Sequence, residues 1–169
     1  FQAYKDSLPI IPMKAKVRHL LIPVIPSPAA KNATVSFLEQ LKAEIEGGGS
    51  FEDLARDNSQ DPGAKNNGGS LGWVNRGSLV KNFETAAFTS DVGKITGPVE
   101  TEFGYHILET LEKQGDKIRV RHILMIPEIT QKDHEKTFNF ALSLKDDSIK
   151  TLDDFKNIVK RHSTDQLTK

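Results

Sequence analysis

The sequence predicts an α+β fold in which helices cover a four-stranded, mainly antiparallel sheet. Short segments that alternate in polarity as strands do, segments with apolar residues at helical spacing, and a closing hairpin pattern lead to this prediction. The predicted order over residues 17–113 is strand, helix, helix, strand, helix, strand, strand. Helices packed on an antiparallel sheet bury the apolar faces of both kinds of element.

The first strand is predicted at residues 17–23, where the sequence reads VRHLLIP. Prolines at positions 23, 26 and 28 disfavour helix at the residues before them and end the strand. The upstream segment carries Pro9 and Pro12 among apolar residues, so we interpret residues 1–16 as an extended linker.

Two helices follow the first strand. The apolar stripe of the first consists of Val35, Leu38, Leu41 and Ile45. The glycines at 47–49 end that helix, because glycine readily adopts the positive φ of a helix terminus. Ser50 and Asp53 predict a capping box for a second helix, which ends near Asn58.

The second half of the domain begins with a loop at residues 61–69 that is rich in Gly, Asn and Pro. A short strand at 71–75, a helix at 79–89 and a hairpin of residues 98–101 and 105–111 follow. In the last strand His106, Leu108 and Thr110 share one face, and the odd-numbered residues share the other.

Composition excludes several classes of function. Lys and Arg number 23, as do Asp and Glu, so the net charge is zero and neither nucleic acid nor an anionic surface is expected as a partner. The absence of cysteine excludes disulfides, a thiol nucleophile and a thiolate metal site. The five histidines lack zinc-site spacing and no phosphate-binding loop is present, so neither a metal nor a cofactor is expected.

The sequence also begins to repeat. VRHILMIP at residues 120–127 restates the first strand, and Phe138, Ala141 and Leu142 match the first helix. Thr151 and Asp154 resemble a second capping box, and residues 163–165 correspond to 59–61. We interpret residues 119–169 as the truncated N-terminal half of a second domain. We expect it to be loosely held, to pack on the first domain, or to be completed by another chain, which would allow self-association.

Four motifs occur in a fixed order: VRHLLI with His19, DPGAK starting at Asp61, GGSLGW starting at Gly68, and FGYHIL with His106. This set resembles the parvulin family of peptidyl-prolyl cis/trans isomerases. The resemblance covers residues 17 to about 112 and part of the second copy. It implies the parvulin fold, an FKBP-like β-α-α-β-α-β-β arrangement, and isomerisation of X-Pro bonds.

The resemblance also implies a substrate pocket, lined by Leu71, Leu79 and Phe83 at the positions where parvulins hold the proline ring. Without that pattern, apolar residues of these types would be interpreted as core. Asp61 stands where parvulins place an acidic or thiol residue near the reacting carbonyl. An Asp before Pro62 is also an ordinary turn former, and the two roles can coexist.

His19 and His106 match the paired histidines of the family, and Thr101 matches a hydroxyl residue that hydrogen-bonds to a histidine ring. Two roles for the histidines stay open. As neutral imidazoles they can hydrogen-bond to each other and hold the sheet, or one of them can transfer a proton directly.

Tandem domains of this type resemble the SurA-type and PrsA-type foldases. That likeness implies unfolded or proline-containing polypeptides as clients and a place in the bacterial cell envelope, in the periplasm or membrane-associated outside the cytoplasm. The loop predicted at residues 23–32 carries only Lys31 as a basic residue, so selectivity for phosphoserine-proline is not expected. The alternatives are a chaperone module that binds unfolded segments without catalysis, and a copy that only spaces other domains.

Overall fold

The computed structural model describes residues 17–165, apart from the side chains of residues 146–148. The predicted linker at residues 1–16 therefore lies outside the described residues. The chain divides into two compact units. One unit is Ile25–His134, and the other comprises the described parts of Phe1–Val24 and Glu135–Lys169.

The unit Ile25–His134 contains all of the sheet that the described residues form. Its elements are α1 (Pro28–Glu46), α2 (Phe51–Asn58), a helical turn α3 (Ala64–Asn67), β1 (Ser70–Asn75), α4 (Lys81–Thr89), β2 (Ile95–Thr101), β3 (Gly104–Gln114) and β4 (Lys117–Met125). The four strands lie in the order β1-β4-β3-β2, and every neighbouring pair is antiparallel. The predicted α+β class with a four-stranded antiparallel sheet is confirmed.

The first helix starts earlier than its apolar stripe predicts. Ser27 caps α1, because its Oγ accepts a hydrogen bond from the backbone N–H of Ala30 at 3.2 Å. Pro28 occupies the first helical position, where the missing N–H is not needed. The helix ends at Glu46, and the N–H of the capping residue Gly47 donates to the carbonyl of Ala43.

The sheet buries apolar residues on both of its faces. On one face α1 and α2 pack over the sheet, and this core contains Leu38, Leu41, Phe51, Ala55, Ile95, Tyr105, Ile107 and Ile123. On the other face α4 packs over a second core, which contains Phe83, Ala87, Leu108, Ile118 and Val120. The alternation predicted for the last strand places Tyr105 and Ile107 under α1 and α2, and His106 and Leu108 under α4.

The prediction that residues 17–23 form the first strand of the sheet is wrong. Those residues have no regular secondary structure, and β4 lies between β1 and β3 instead. β4 contains the segment that the sequence suggests as the start of a second copy, so the boundary at residues 113–119 does not separate the two units. The turn at Gly115 and Asp116 joins β3 directly to β4. Such a short connection costs less loop-closure entropy than pairing with a strand near the N-terminus.

The other unit contains most of α5 (Gln131–Ser148), the whole of α6 (Leu152–His162) and residues 17–24. The predicted capping box is confirmed: Thr151 and Asp154 each bond to the backbone N–H of the other. Within this unit, the N–H of Thr164 donates to the carbonyl of Leu21 at 3.0 Å. Residues 17–24 therefore contact the segment that follows α6.

Candidate active site

A cavity of about 480 Å³ opens on the α4 side of the sheet. Loops and strands from both halves of the unit contribute its walls. The lining residues are Asp61, Pro62, Leu71, Ser78, Leu79, Val80, Phe83, Phe103, His106, His122 and Leu124. Apolar side chains form most of this lining, and none of the lining residues carries a permanent positive charge.

The three predicted pocket residues come together in this cavity. Leu71 lies on β1, Leu79 lies in the loop before α4, and both are half-buried. Phe83, on the first turns of α4, is 3% exposed. Its ring packs edge-on against the rings of His106 and His122, with centroid distances of 5.2 and 5.5 Å. Such edge-to-face contacts fix the orientation of all three rings.

Four polar side chains form a row that borders the cavity, and three of them, Asp61, His122 and His106, line it. Oδ2 of Asp61 lies 3.3 Å from Nε2 of His122. Nδ1 of His122 lies 3.3 Å from Nδ1 of His106, and Nε2 of His106 lies 2.7 Å from Oγ1 of Thr101. The backbone N–H of Phe103 donates to the same Thr101 oxygen at 3.1 Å.

One arrangement of protons suits this row when both imidazoles are neutral. Thr101 donates to Nε2 of His106, and Nδ1–H of His106 donates to Nδ1 of His122. Nε2–H of His122 then points toward the Asp61 carboxylate. The reverse order would set a lone pair of His122 against that carboxylate. The tautomers follow from this network of contacts.

Burial keeps both imidazoles neutral. Burial lowers the pKa of His106 from 6.5 to about 4. The positive charge that His122 can carry lowers this pKa further, and the Asp61 carboxylate raises it. Burial also lowers the pKa of His122, again against the carboxylate of Asp61. Near pH 7 the cavity therefore holds an uncharged histidine pair beside one carboxylate.

Asp61 is held on both of its oxygens. Oδ1 accepts a hydrogen bond from the N–H of Gly63 at 2.7 Å, which closes the local turn. Oδ2 faces Nε2 of His122 at 3.3 Å. That nitrogen is buried, and the contact is too poorly aligned to count as a hydrogen bond among the described residues. We regard it as an electrostatic contact.

The sheet register brings the two histidines together. His106 on β3 pairs with Leu124 on β4, and His122 pairs with Leu108, so the rings are diagonal neighbours on the α4 face. The N–H of His122 also donates to the carbonyl of Gly69 at 2.8 Å. Gly69 has φ of +80°, and a Cβ there would lie 2.2 Å from the carbonyl oxygen of His122. This close approach explains why glycine stands at that position.

The predicted partner of His106 was His19, and the structure places His122 there instead. His19 lies in the other unit, where its Nε2 is 2.7 Å from Oδ2 of Asp165. The sequence signal for His122 was visible, because VRHIL repeats VRHLL. Phe103 was not predicted as a site residue. It is exposed at the cavity mouth and adjoins the turn at Gly104.

Within the part of the chain that the structure describes, no group of three or more His, Cys, Asp or Glu side chains is placed to hold a metal ion. No helix among the same residues is long and apolar enough to cross a membrane.

The model of the PPIC-type PPIase domain, a peptidyl-prolyl cis/trans isomerase family, matches residues 10–114. The foldase protein PrsA of Geobacillus kaustophilus is 44% identical over 79 residues, which are 47% of this chain and 28% of that protein. The chaperone SurA of Methylococcus capsulatus is 42% identical over 104 residues, which are 60% of this chain and 22% of that protein. The chain therefore matches less than a third of the length of these curated relatives.

Among solved structures, the peptidylprolyl isomerase PrsA from Bacillus anthracis aligns with 85% of this chain and 54% of its own. The sequence identity is 23% and the TM-score is 0.39, so this likeness adds nothing to the family match.

Proposed function

The chain belongs to the PPIC-type PPIase domain family, and from that premise we propose that the unit Ile25–His134 isomerises X-Pro bonds in unfolded, exported polypeptides. The observation that carries the proposal is the apolar cavity in which Leu71, Leu79 and Phe83 lie beside Asp61 and a neutral histidine pair. This arrangement suits a reaction that requires a bond to rotate and no bond to break.

The uncatalysed X-Pro bond crosses a barrier of about 18 to 20 kcal/mol in tens to hundreds of seconds. In the planar amide, resonance separates charge between oxygen and nitrogen, and the twisted amide loses much of that separation. An apolar pocket therefore destabilises the planar form relative to the twisted one. Each ~1.4 kcal/mol of this preference raises the rate about tenfold.

The cavity offers different surfaces to the two sides of the reacting bond. Leu79 and Phe83 give an apolar surface for the proline ring, and Asp61 stands at the polar end, where a rotating carbonyl would pass. Phe103 at the mouth offers an aromatic contact to a neighbouring client residue. A carboxylate that disfavours the carbonyl in one orientation more than in another biases the rotation.

We assign the histidines a positioning role. His106 and His122 are neutral at pH 7 and bonded to each other, and Thr101 occupies the remaining ring nitrogen of His106. The reaction transfers no proton, so a fixed, uncharged pair that holds β3, β4 and Asp61 in place is sufficient. Direct proton transfer by either ring is not needed.

The client is an unphosphorylated segment. Among the residues that the structure describes, no Lys or Arg lines the cavity. Lys31, in the first turn of α1, pairs with Glu100 at 3.0 Å. A phosphate group would find no guanidinium or ammonium partner in this cavity. The foldase and chaperone names of the relatives support unfolded polypeptides as clients. We propose a place outside the cytoplasm, in the periplasm or at the cell envelope, from the resemblance to SurA-type and PrsA-type foldases.

The alternative is a chaperone module that binds the same segments without accelerating isomerisation. The engagement of both Asp61 oxygens favours it, because a carboxylate that only closes a turn and faces His122 contributes nothing to the rate. The same cavity would then hold proline-containing segments as a binding site.

The test is the cis-to-trans rate of unphosphorylated X-Pro peptides, followed by exchange NMR with the full chain. We expect acceleration that falls at least tenfold in Leu79→Ala and in Asp61→Asn. Two controls at residues outside the cavity lining should keep the full rate: Val92→Ala, which truncates another apolar side chain, and Asp91→Asn, which makes the same change of a carboxylate. Peptide binding without acceleration by the unsubstituted chain would establish the chaperone module instead.

A further inference from the structure

Two segments of this chain carry the same strand sequence in different surroundings. Residues 120–124 read VRHIL and lie in β4, where the side chains of Val120 and Ile123 are 0% exposed. Residues 17–21 read VRHLL and form no strand, and Val17 is 83% exposed. Two segments of the chain thus have a sequence that suits the buried strand position in the sheet, and only residues 120–124 occupy it.

The end of α2 recognises the buried copy through the backbone. The N–H of Leu124 donates to Oγ of Ser59 at 3.1 Å, and the N–H of Gln60 donates to the carbonyl of Leu124 at 2.8 Å. His122 of the same strand faces Asp61 at 3.3 Å.

The end of α6 recognises the exposed copy by the same pattern. The N–H of Leu21 donates to Oγ of Ser163 at 3.4 Å, and the N–H of Thr164 donates to the carbonyl of Leu21 at 3.0 Å. His19 faces Asp165 at 2.7 Å. Each helix end therefore holds the strand segment that belongs, by sequence order, to the other copy. The same kinds of atoms, at matching positions of the two segments, make these contacts in both places.

The family match points to the same ambiguity. It covers residues 10–114, so it includes the first segment and ends before β4. The family model thus includes residues 17–22 and leaves out Lys117–Met125, the segment that occupies the strand position in the structure.

We infer that residues 17–22 and 117–125 are alternative occupants of one strand position between β1 and β3. Whichever segment is in place supplies the histidine beside His106: His122 in the arrangement described here, and His19 after exchange. Which segment occupies the strand position does not depend on the proposed function. The consequence that catalysis can use either His19 or His122 rests on the proposed function.

A four-protein cycle tests the inference with the full chain: unsubstituted, Leu20→Asp, Ile123→Asp, and both substitutions. Trp73, the only tryptophan, lies on β1 opposite Arg119 of β4, so its fluorescence reports unfolding of the sheet. We expect Leu20→Asp to leave the sheet's unfolding transition unchanged. Ile123→Asp should lower its midpoint but keep it cooperative, because residues 17–22 take over. The double variant should lose the transition.

Engineered disulfides identify the segment in place, since the chain has no cysteine of its own. Glu109 pairs with Arg121 across β3 and β4, and Arg18 is the counterpart of Arg121 in the first segment. Glu109→Cys with Arg121→Cys should crosslink in the otherwise unsubstituted chain. Glu109→Cys with Arg18→Cys should crosslink once Ile123→Asp is added.

Two results would overturn the inference. One is an Ile123→Asp chain that, like the double variant, shows no unfolding transition of the sheet and in which Arg18→Cys forms no crosslink with Glu109→Cys. The other is a Leu20→Asp chain whose sheet fails to fold, which would make residues 17–22 the obligatory strand. Fluorescence and crosslinking decide both outcomes even if the chain has no isomerase activity, so failure of the proposed function is seen separately. If the activity is present, it should become sensitive to His19→Asn only with Ile123→Asp.

Discussion

Acid should destabilise the sheet-containing unit through His106. Its pKa is lowered from 6.5 to about 4 in the folded protein, chiefly by burial, while an unfolded chain leaves it near 6.5. A group with a depressed folded pKa binds its proton more readily in the unfolded state. The stability that neutral His106 contributes is therefore complete above pH 6.5 and decreases as the pH falls from 6.5 toward 4.

The lowered pKa of His106 also sets the magnitude of this loss. The difference between a pKa of 6.5 in the unfolded chain and about 4 in the folded protein corresponds to a contribution of about 3 kcal/mol to the free energy of unfolding. Because the cavity opens to solvent, the actual contribution is smaller. We expect the free energy of unfolding to fall by about 2 kcal/mol between pH 7 and pH 4. A loss of that size is a substantial part of the stability of a small domain.

The assay is urea unfolding at pH values from 7 to 4, followed by the fluorescence of Trp73. Other ionisable groups also respond to pH, so the variant His106→Asn is measured in parallel and the difference between the two curves isolates His106. We expect the stability advantage of the unsubstituted chain to shrink steadily below pH 6.5. A constant difference across that range would refute the view that His106 is held neutral by burial.

Three further predictions concern stability and are each measured by urea unfolding. Gly69→Ala should lower the free energy of unfolding by more than about 2 kcal/mol, since φ is +80° and the new Cβ would meet the carbonyl of His122. The control Gly115→Ala has open space around it and should cost about 1 kcal/mol, so equal losses would contradict the close approach. Glu109→Gln should lower the free energy of unfolding by about 1 to 3 kcal/mol, because its partner Arg121 is mostly buried. The control Glu112→Gln, which removes the exposed ion pair with Arg119, should cost less than about 1 kcal/mol, and a larger loss for the control would refute the prediction. Phe83→Ala should cost about 3 to 5 kcal/mol through the cavity it leaves, and a loss below about 1 kcal/mol would show that the ring is not packed as described.

Local patterns predicted most elements of this fold. The apolar stripe of α1, the N-cap at Ser50, the capping box at Thr151 and the alternation around His106 each depend on neighbouring residues, and each appears in the structure. The capping box predicted at Ser50 forms only in part: Ser50 accepts a hydrogen bond from the N–H of Asp53, whereas the Asp53 carboxylate pairs with Arg56. The start of α1 was missed because the predicted loop extended to residue 32, although Ser27 followed by Pro28 is itself a helix-start signal.

The strand beside β3 could not be assigned from sequence alone. Residues 17–21 and 120–124 differ only by Leu20 against Ile123, so both satisfy the same pattern of burial. The choice between them depends on loop closure and on the surroundings of both copies, and neither is a property of a short segment. The error in placing His19 beside His106 follows directly from this ambiguity.

The cavity was better predicted than the polar row that borders it. The resemblance proposed Leu71, Leu79, Phe83, Asp61 and Thr101 as site residues, and the structure brings all of them to one region. Their roles in the reaction remain proposals. Phe103 was overlooked because a single exposed aromatic in a turn carries no periodic signal.

The most direct test of the account is the rate of X-Pro isomerisation by three full-length chains: unsubstituted, His122→Asn and His19→Asn. We predict acceleration by the unsubstituted chain, a clear loss in His122→Asn and an unchanged rate in His19→Asn, because His122 is the residue that lies beside His106 and Asp61. A loss in His19→Asn with none in His122→Asn, or no acceleration by any of the three chains, would contradict it.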